Sequence, residues 1–98
     1  MTTDRNDPKL RRIMPNGQQE AYLVLSEEER AKGFVRPVRV AYVHEKCGAE
    51  TMMGSSIAET YARDPSFYGG TFCVRCGGHF PVGADGEFVW HDGSKVGT

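Results

Sequence analysis

Two pairs of metal-donor side chains, each with two residues between its members, constrain this chain more than any other feature. They are His44-Glu45-Lys46-Cys47 and Cys73-Val74-Arg75-Cys76, with 25 residues between the pairs. One imidazole and three thiols form a donor set that tetrahedral zinc takes. A glycine follows each pair: Gly48 after Cys47, and Gly77-Gly78 after Cys76. Glycine admits a positive φ and lets backbone N–H groups approach the sulfurs, as a tight metal-binding knuckle needs. The spacing predicts one structural Zn2+ held by His44, Cys47, Cys73 and Cys76. Any fold must then bring two distant turns to one point.

Other readings of these residues fit less well. Three cysteines are an odd count, so a disulfide framework leaves one thiol over. A redox Cys-x-x-Cys opens a helix, whereas Gly77-Gly78-His79-Phe80-Pro81 follows here. Haem attachment wants histidine directly after the second cysteine, where Gly77 stands. Inert buried cysteines would have no need of the doubled spacing. His79, three residues after Cys76, is the rival fourth donor; His44 is preferred because it recreates two matching knuckles. His91 beside Trp90 reads as a surface or half-buried strand residue.

A catalytic zinc is also disfavoured. Zinc deaminases carry H-x-E and later P-C-x-x-C. Here Lys46 holds the position of the acid, and Phe72 that of the proline. Cys47 would close the coordination position that a reactive water needs, and a site of four protein ligands is structural. No nucleophile elbow, phosphate-binding loop or dinucleotide fingerprint occurs. The chain is expected to be non-enzymatic.

Ninety-eight residues suffice for one domain. Twelve basic against thirteen acidic side chains exclude a polybasic protein that holds nucleic acid by bulk charge. No apolar run reaches the ~18 residues of a membrane span, and the first 20 residues are too polar for a signal peptide. A soluble, intracellular protein is expected.

Residues 1–20 read as an extended arm, polar and broken by Asp7-Pro8 and Pro15-Asn16-Gly17. Residues 21–98 read as the folded domain. Ala21–Leu25 is a short strand or a segment laid on the core. Ser26-Glu27-Glu28-Glu29 is a capping box, and Gly33 a stop, for a helix over 27–32. Phe34–Val43 alternates like an edge strand containing Pro37. Ser56-Ile57-Ala58-Glu59 caps a second helix, whose Met53, Ile57 and Tyr61 stripe belongs to the core and whose end is Asp64-Pro65. Phe80–Val82 and Glu87–Trp90 flank the turn Gly83-Ala84-Asp85-Gly86 as a hairpin. Asp92-Gly93-Ser94 begins a last turn, leaving Val96 as the final apolar contact.

Several stretches resemble short uncharacterised proteins encoded in tailed-phage genomes, over about residues 25–98. They are Glu28 to Pro37, Ile57 to Ala62, Phe67 to Cys73, Phe88-Val89-Trp90 and Val96-Gly97. The resemblance implies a viral or prophage origin, and with it the host cytoplasm or the virion. It implies no activity.

The expected fold is a small α+β zinc ribbon: short antiparallel strands, a helix inserted between two knuckles, and the N-terminal arm. The expected role is a non-enzymatic interaction module for a viral or host protein, such as a virion component or a modulator of a host complex. Lys9, Leu10, Arg11 and Arg12 of the arm, with Arg36 and Arg39, are candidate partner contacts. A nucleic-acid-binding ribbon is the alternative. Residues 1–47 carry nine basic against seven acidic side chains, and residues 48–98 three against six, a slight bias only.

Overall fold

Each donor pair closes a hairpin. In a computed structural model covering residues 1–98, β1 (Ala41–His44) and β2 (Glu50–Met52) pair antiparallel, with Tyr42 opposite Thr51. β3 (Gly70–Cys73) and β4 (Gly78–Pro81) pair likewise, with Phe72 opposite His79 and Cys73 opposite Gly78. β5 (Phe88–Trp90) adds to the free edge of β1, placing His44 opposite Phe88. The result is a three-stranded sheet, β2-β1-β5, beside the two-stranded β3-β4. Two helices complete this small α+β fold: α1 (Glu27–Arg30) and, between the hairpins, α2 (Ser55–Arg63).

An aromatic cluster joins these elements. Tyr42, Tyr61, Cys73, Phe88, Trp90 and Val96 are all buried together. The Tyr42 ring meets Phe88 edge-on at 5.2 Å, and Tyr61 meets Trp90 edge-on at 5.6 Å. Such pairs add about 0.5–1.5 kcal/mol each beyond the area they bury. Ile57 and Tyr61 bring α2 onto this cluster, with Met53 packing from just before the helix, as the apolar stripe predicts. Val96 is wholly buried behind the turn at Asp92–Ser94, where Trp90 N–H donates to the Ser94 carbonyl at 2.8 Å.

Helix signals hold at α1 and shift at α2. Ser26 accepts from Glu29 N–H at 3.2 Å, and Gly33, at φ +114°, lies just past the end of the helix. α2 starts two residues earlier than a cap at Ser56 predicts, behind Gly54, without a side-chain cap. Met53 N–H is already bonded to the Val40 carbonyl at 2.8 Å, so the chain passes from β2 into the helix with little room for a cap. Arg63 is the last helical residue, before Asp64-Pro65.

Two expectations are corrected. The strand predicted over Phe34–Val43 is confined to Ala41–His44. The N–H groups of Val35 and Arg36 both donate to the Ala62 carbonyl, at 2.8 and 3.1 Å, and Pro37 has no donor. This segment therefore crosses the end of α2 instead of pairing with a strand. The turn at Gly83–Gly86 forms, but its flanks do not make a hairpin: β4 stays with β3, and β5 goes to β1. Gly86 presses so closely on Val82 that a Cβ would lie 2.5 Å from its backbone.

Residues 1–20, the N-terminal arm, lie against their own domain. Thr2 N–H donates to the Tyr22 carbonyl at 3.0 Å, and Val24 N–H to the Thr2 carbonyl at 2.8 Å. A 3-10 turn at Pro8–Arg11 is capped by Asp7, whose carboxylate accepts from Lys9 N–H at 3.0 Å. Gly17, at φ +93°, abuts the second knuckle: a Cβ there would fall 2.0 Å from the Gly77 oxygen. Backbone pairing, which side-chain polarity does not report, secures the segment. Ala21–Leu25 makes no strand, but Ala21 and Val24 are buried as a segment laid on the core.

Candidate metal centre

The hairpin turns present the four donors in the same way twice. His44 ends β1 and Cys73 ends β3, and both are buried. Cys47 and Cys76 follow in the turns. Gly48 N–H donates to the His44 carbonyl at 2.7 Å, and Gly77 N–H to the Cys73 carbonyl at 2.9 Å. Both glycines have positive φ, +73° and +68°, which reverses the chain beside the sulfurs.

All four ligand atoms lie within 4.8 Å of one another. Cys47 Sγ is 3.3 Å from His44 Nδ1 and 3.5 Å from Cys73 Sγ, and Cys76 Sγ is 3.6 Å from His44 Nδ1. Zinc bonds of about 2.0–2.3 Å in a tetrahedron separate neighbouring donors by roughly 3.5–3.8 Å. These three edges match that spacing to within a few tenths of an ångström, and the others stay within 4.8 Å. These four side chains form a possible metal-binding site, consistent with zinc.

His44 is held more firmly than its motif foretells. Its ring is stacked between Phe80 and Phe88, with both centroids at 4.7 Å. Its Nε2 lies 2.8 Å from Glu87 Oε1, and Lys46 Nζ is 3.5 Å from the other carboxylate oxygen. Hydrogen bonding from His44, aided by Lys46, holds the Glu87 carboxyl below its usual range. A carboxylate only accepts, so Nε2 carries the proton and the Nδ1 lone pair faces the thiols. The sequence pattern missed Glu87, Phe80 and Phe88; only the β1–β5 and β3–β4 registers bring them to the ring.

Ionisation of the thiols is uneven. Burial pushes the Cys73 thiol up, but N–H groups of Cys76 and Arg75 and the Cys47 thiol outweigh it, leaving about 7. Desolvation and the neighbouring Cys73 and Cys47 push Cys76 up to about 11. The raised Cys76 thiol opposes ionisation of the whole set, and a bound cation would remove that penalty.

His79 stands apart. Opposite Phe72 in the β3–β4 register, it is outside the donor cluster, and its Nε2 lies 2.9 Å from the Tyr22 hydroxyl. His91 is exposed and pairs with Glu50 at 2.5 Å. Among the candidate partner contacts, Arg39 lies 4.4 Å over the Trp90 ring and pairs with Asp92 at 2.9 Å. Arg36 donates to the Thr98 carbonyl at 3.2 Å, and Arg12 pairs with Glu20 at 3.4 Å. Lys9 and Arg11 are exposed, and Leu10 is half-buried near Tyr22 and His79. Comparison with protein-family models, curated proteins and solved structures gave no match.

Proposed function

We propose that the chain is a zinc-stabilised, non-enzymatic module of zinc-ribbon type that binds a protein partner. The observation that carries the metal reading is the set of four convergent protein donors. With Zn2+ bound at all four, the coordination sphere is complete, and no position is left for a reacting water. The ion then contributes folding energy and fixes two hairpins relative to each other.

The surface favours a protein partner over nucleic acid. Most basic side chains are engaged internally: Arg30 with Glu59, Arg39 with Asp92, Lys95 with Glu45, and Lys32 with Glu29. The crossing segment instead shows apolar side chains, with Phe34, Val35, Val38 and Val40 each more than 40% exposed. Exposed apolar side chains along one segment suit a partner that offers an apolar groove. The alternative, a nucleic-acid-binding module, draws support from Lys9 and Arg11, which make no ion pair. The viral setting, in host cytoplasm or virion, belongs to the proposal through the sequence resemblance alone. No helix is long and apolar enough to cross a membrane.

Affinity purification from host cells, with wild type and a Val38→Asp/Val40→Asp variant of equal zinc content, tests the reading. A protein enriched by wild type and lost with the variant is the expected result. Sequence-dependent DNA or RNA binding that persists at moderate salt would overturn it.

A further inference from the structure

The sulfurs of the donor cluster carry a second chemistry. Cys73 Sγ lies 3.5 Å from Cys47 Sγ, across the junction of the two hairpins and 26 residues away in the chain. Cys73 is fully buried, Cys47 is half-buried and Cys76 is exposed. The chain has no other cysteine, so oxidation of any pair leaves one thiol over and breaks the donor set.

The pair that forms decides what becomes of the fold. A Cys73–Cys76 bridge closes within one turn and leaves the hairpins unlinked. A Cys47–Cys73 bridge ties the first turn to the end of β3, the junction that a metal ion at the four donors would hold. Other contacts keep these two sulfurs together: Arg75 donates to the Cys47 carbonyl at 3.2 Å, and Val74 N–H to the Thr51 hydroxyl at 3.0 Å. A disulfide at about 2.05 Å requires the sulfurs to close by about 1.5 Å. The first turn has room for that shift, since nothing lies within 4 Å of where a Cβ on Gly48 would stand. The second turn is held, with Gly17 pressed against the Gly77 oxygen.

We infer that Cys47 and Cys73 form a redox switch that exchanges a metal clamp for a covalent one. The inference rests on the metal reading proposed above. The oxidant is a hydroperoxide. The Cys47 thiolate attacks a peroxide oxygen, the O–O bond breaks, hydroxide leaves and Cys47 becomes a sulfenic acid. The Cys73 thiolate then attacks the Cys47 sulfur, forming the disulfide and expelling a second hydroxide. Two electrons pass from the sulfurs to the peroxide. Attack beginning at exposed Cys76 ends the same way, because Cys47 displaces Cys76 from a Cys73–Cys76 bridge by thiol exchange. Only His44 and Cys76 then remain as donors, too few to retain the ion.

Hydrogen peroxide treatment of the zinc-loaded full chain tests this. Zinc release is read with a chromogenic chelator, free thiols by alkylation, and the bridge by mass spectrometry without reduction. One zinc should be lost per disulfide, Cys76 alone should remain alkylatable, and Cys47 and Cys73 peptides should be linked. Dithiothreitol with Zn2+ should restore the loaded chain. The oxidised zinc-free chain should melt several degrees above the reduced zinc-free chain, because its hairpins stay tied. A Cys73–Cys76 or intermolecular bridge, sulfinic acid without a bridge, zinc retained after oxidation, or equal melting temperatures would overturn the switch. A chain purified without zinc fails the metal reading instead, and its bridge map then decides the Cys47–Cys73 pairing separately.

Discussion

Glu87 decides how well His44 serves as a donor. Its carboxylate fixes the tautomer from Nε2, while Phe80 and Phe88 fix the plane of the ring. Removing such a support typically costs about 10–100-fold in metal affinity. Glu87→Ala should show a loss of that order by chelator competition, and Glu87→Gln, whose amide oxygen can still accept, a smaller one. Cys73→Ser should be the most damaging change at the site, because Cys73 is fully buried in the core cluster. His44→Ala should be milder, with water filling the vacancy, since His79 is committed to Tyr22. Thermal melts paired with zinc analysis would rank the three. The four donors were legible because each pair sits within one turn of chain, where spacing alone sets geometry. Glu87 was not, because 42 residues separate it from His44 and only strand register makes them neighbours.

Elements met their local signals better than their long-range ones. Ser26, Gly33 and Asp64-Pro65 mark helix ends through interactions with nearby backbone, and the sequence shows them. Pairing depends on remote partners: the alternation of Phe34–Val43 cannot reveal that Val35 and Arg36 are bonded to the end of α2. The N-terminal segment teaches the same lesson, since its anchors at Tyr22 and Thr2 are backbone groups. Deleting residues 1–14 should therefore lower the melting temperature by several degrees while zinc stoichiometry stays intact. An unchanged melting temperature would show those contacts to be energetically idle. Gly17→Ala combines a disfavoured φ with a collision at Gly77, so urea denaturation should show a loss of more than about 1 kcal/mol.

At the scale of the molecule, an aromatic core joins the elements, and a possible metal-binding site lies where the two hairpin turns meet. Burial raises the phenols of Tyr42 and Tyr68 to about 12, and that of Tyr61 still further. The neutral phenols thus contribute stability that is complete below pH 10 and is lost as pH rises from 10 through 12. Circular dichroism melts across that window should fall steadily. Zinc binding at structural sites is worth about 10–16 kcal/mol in peptides, against a total stability of about 5–15 kcal/mol for ordinary domains. Chelation should accordingly loosen or unfold both hairpins. The most direct test is zinc K-edge X-ray absorption on the purified, metal-quantified chain. One zinc per chain, with three sulfurs at about 2.3 Å and one nitrogen at about 2.0 Å, is the predicted result. A metal-free folded chain, or a shell with a water oxygen in place of the His44 nitrogen or a cysteine sulfur, would contradict the closed site.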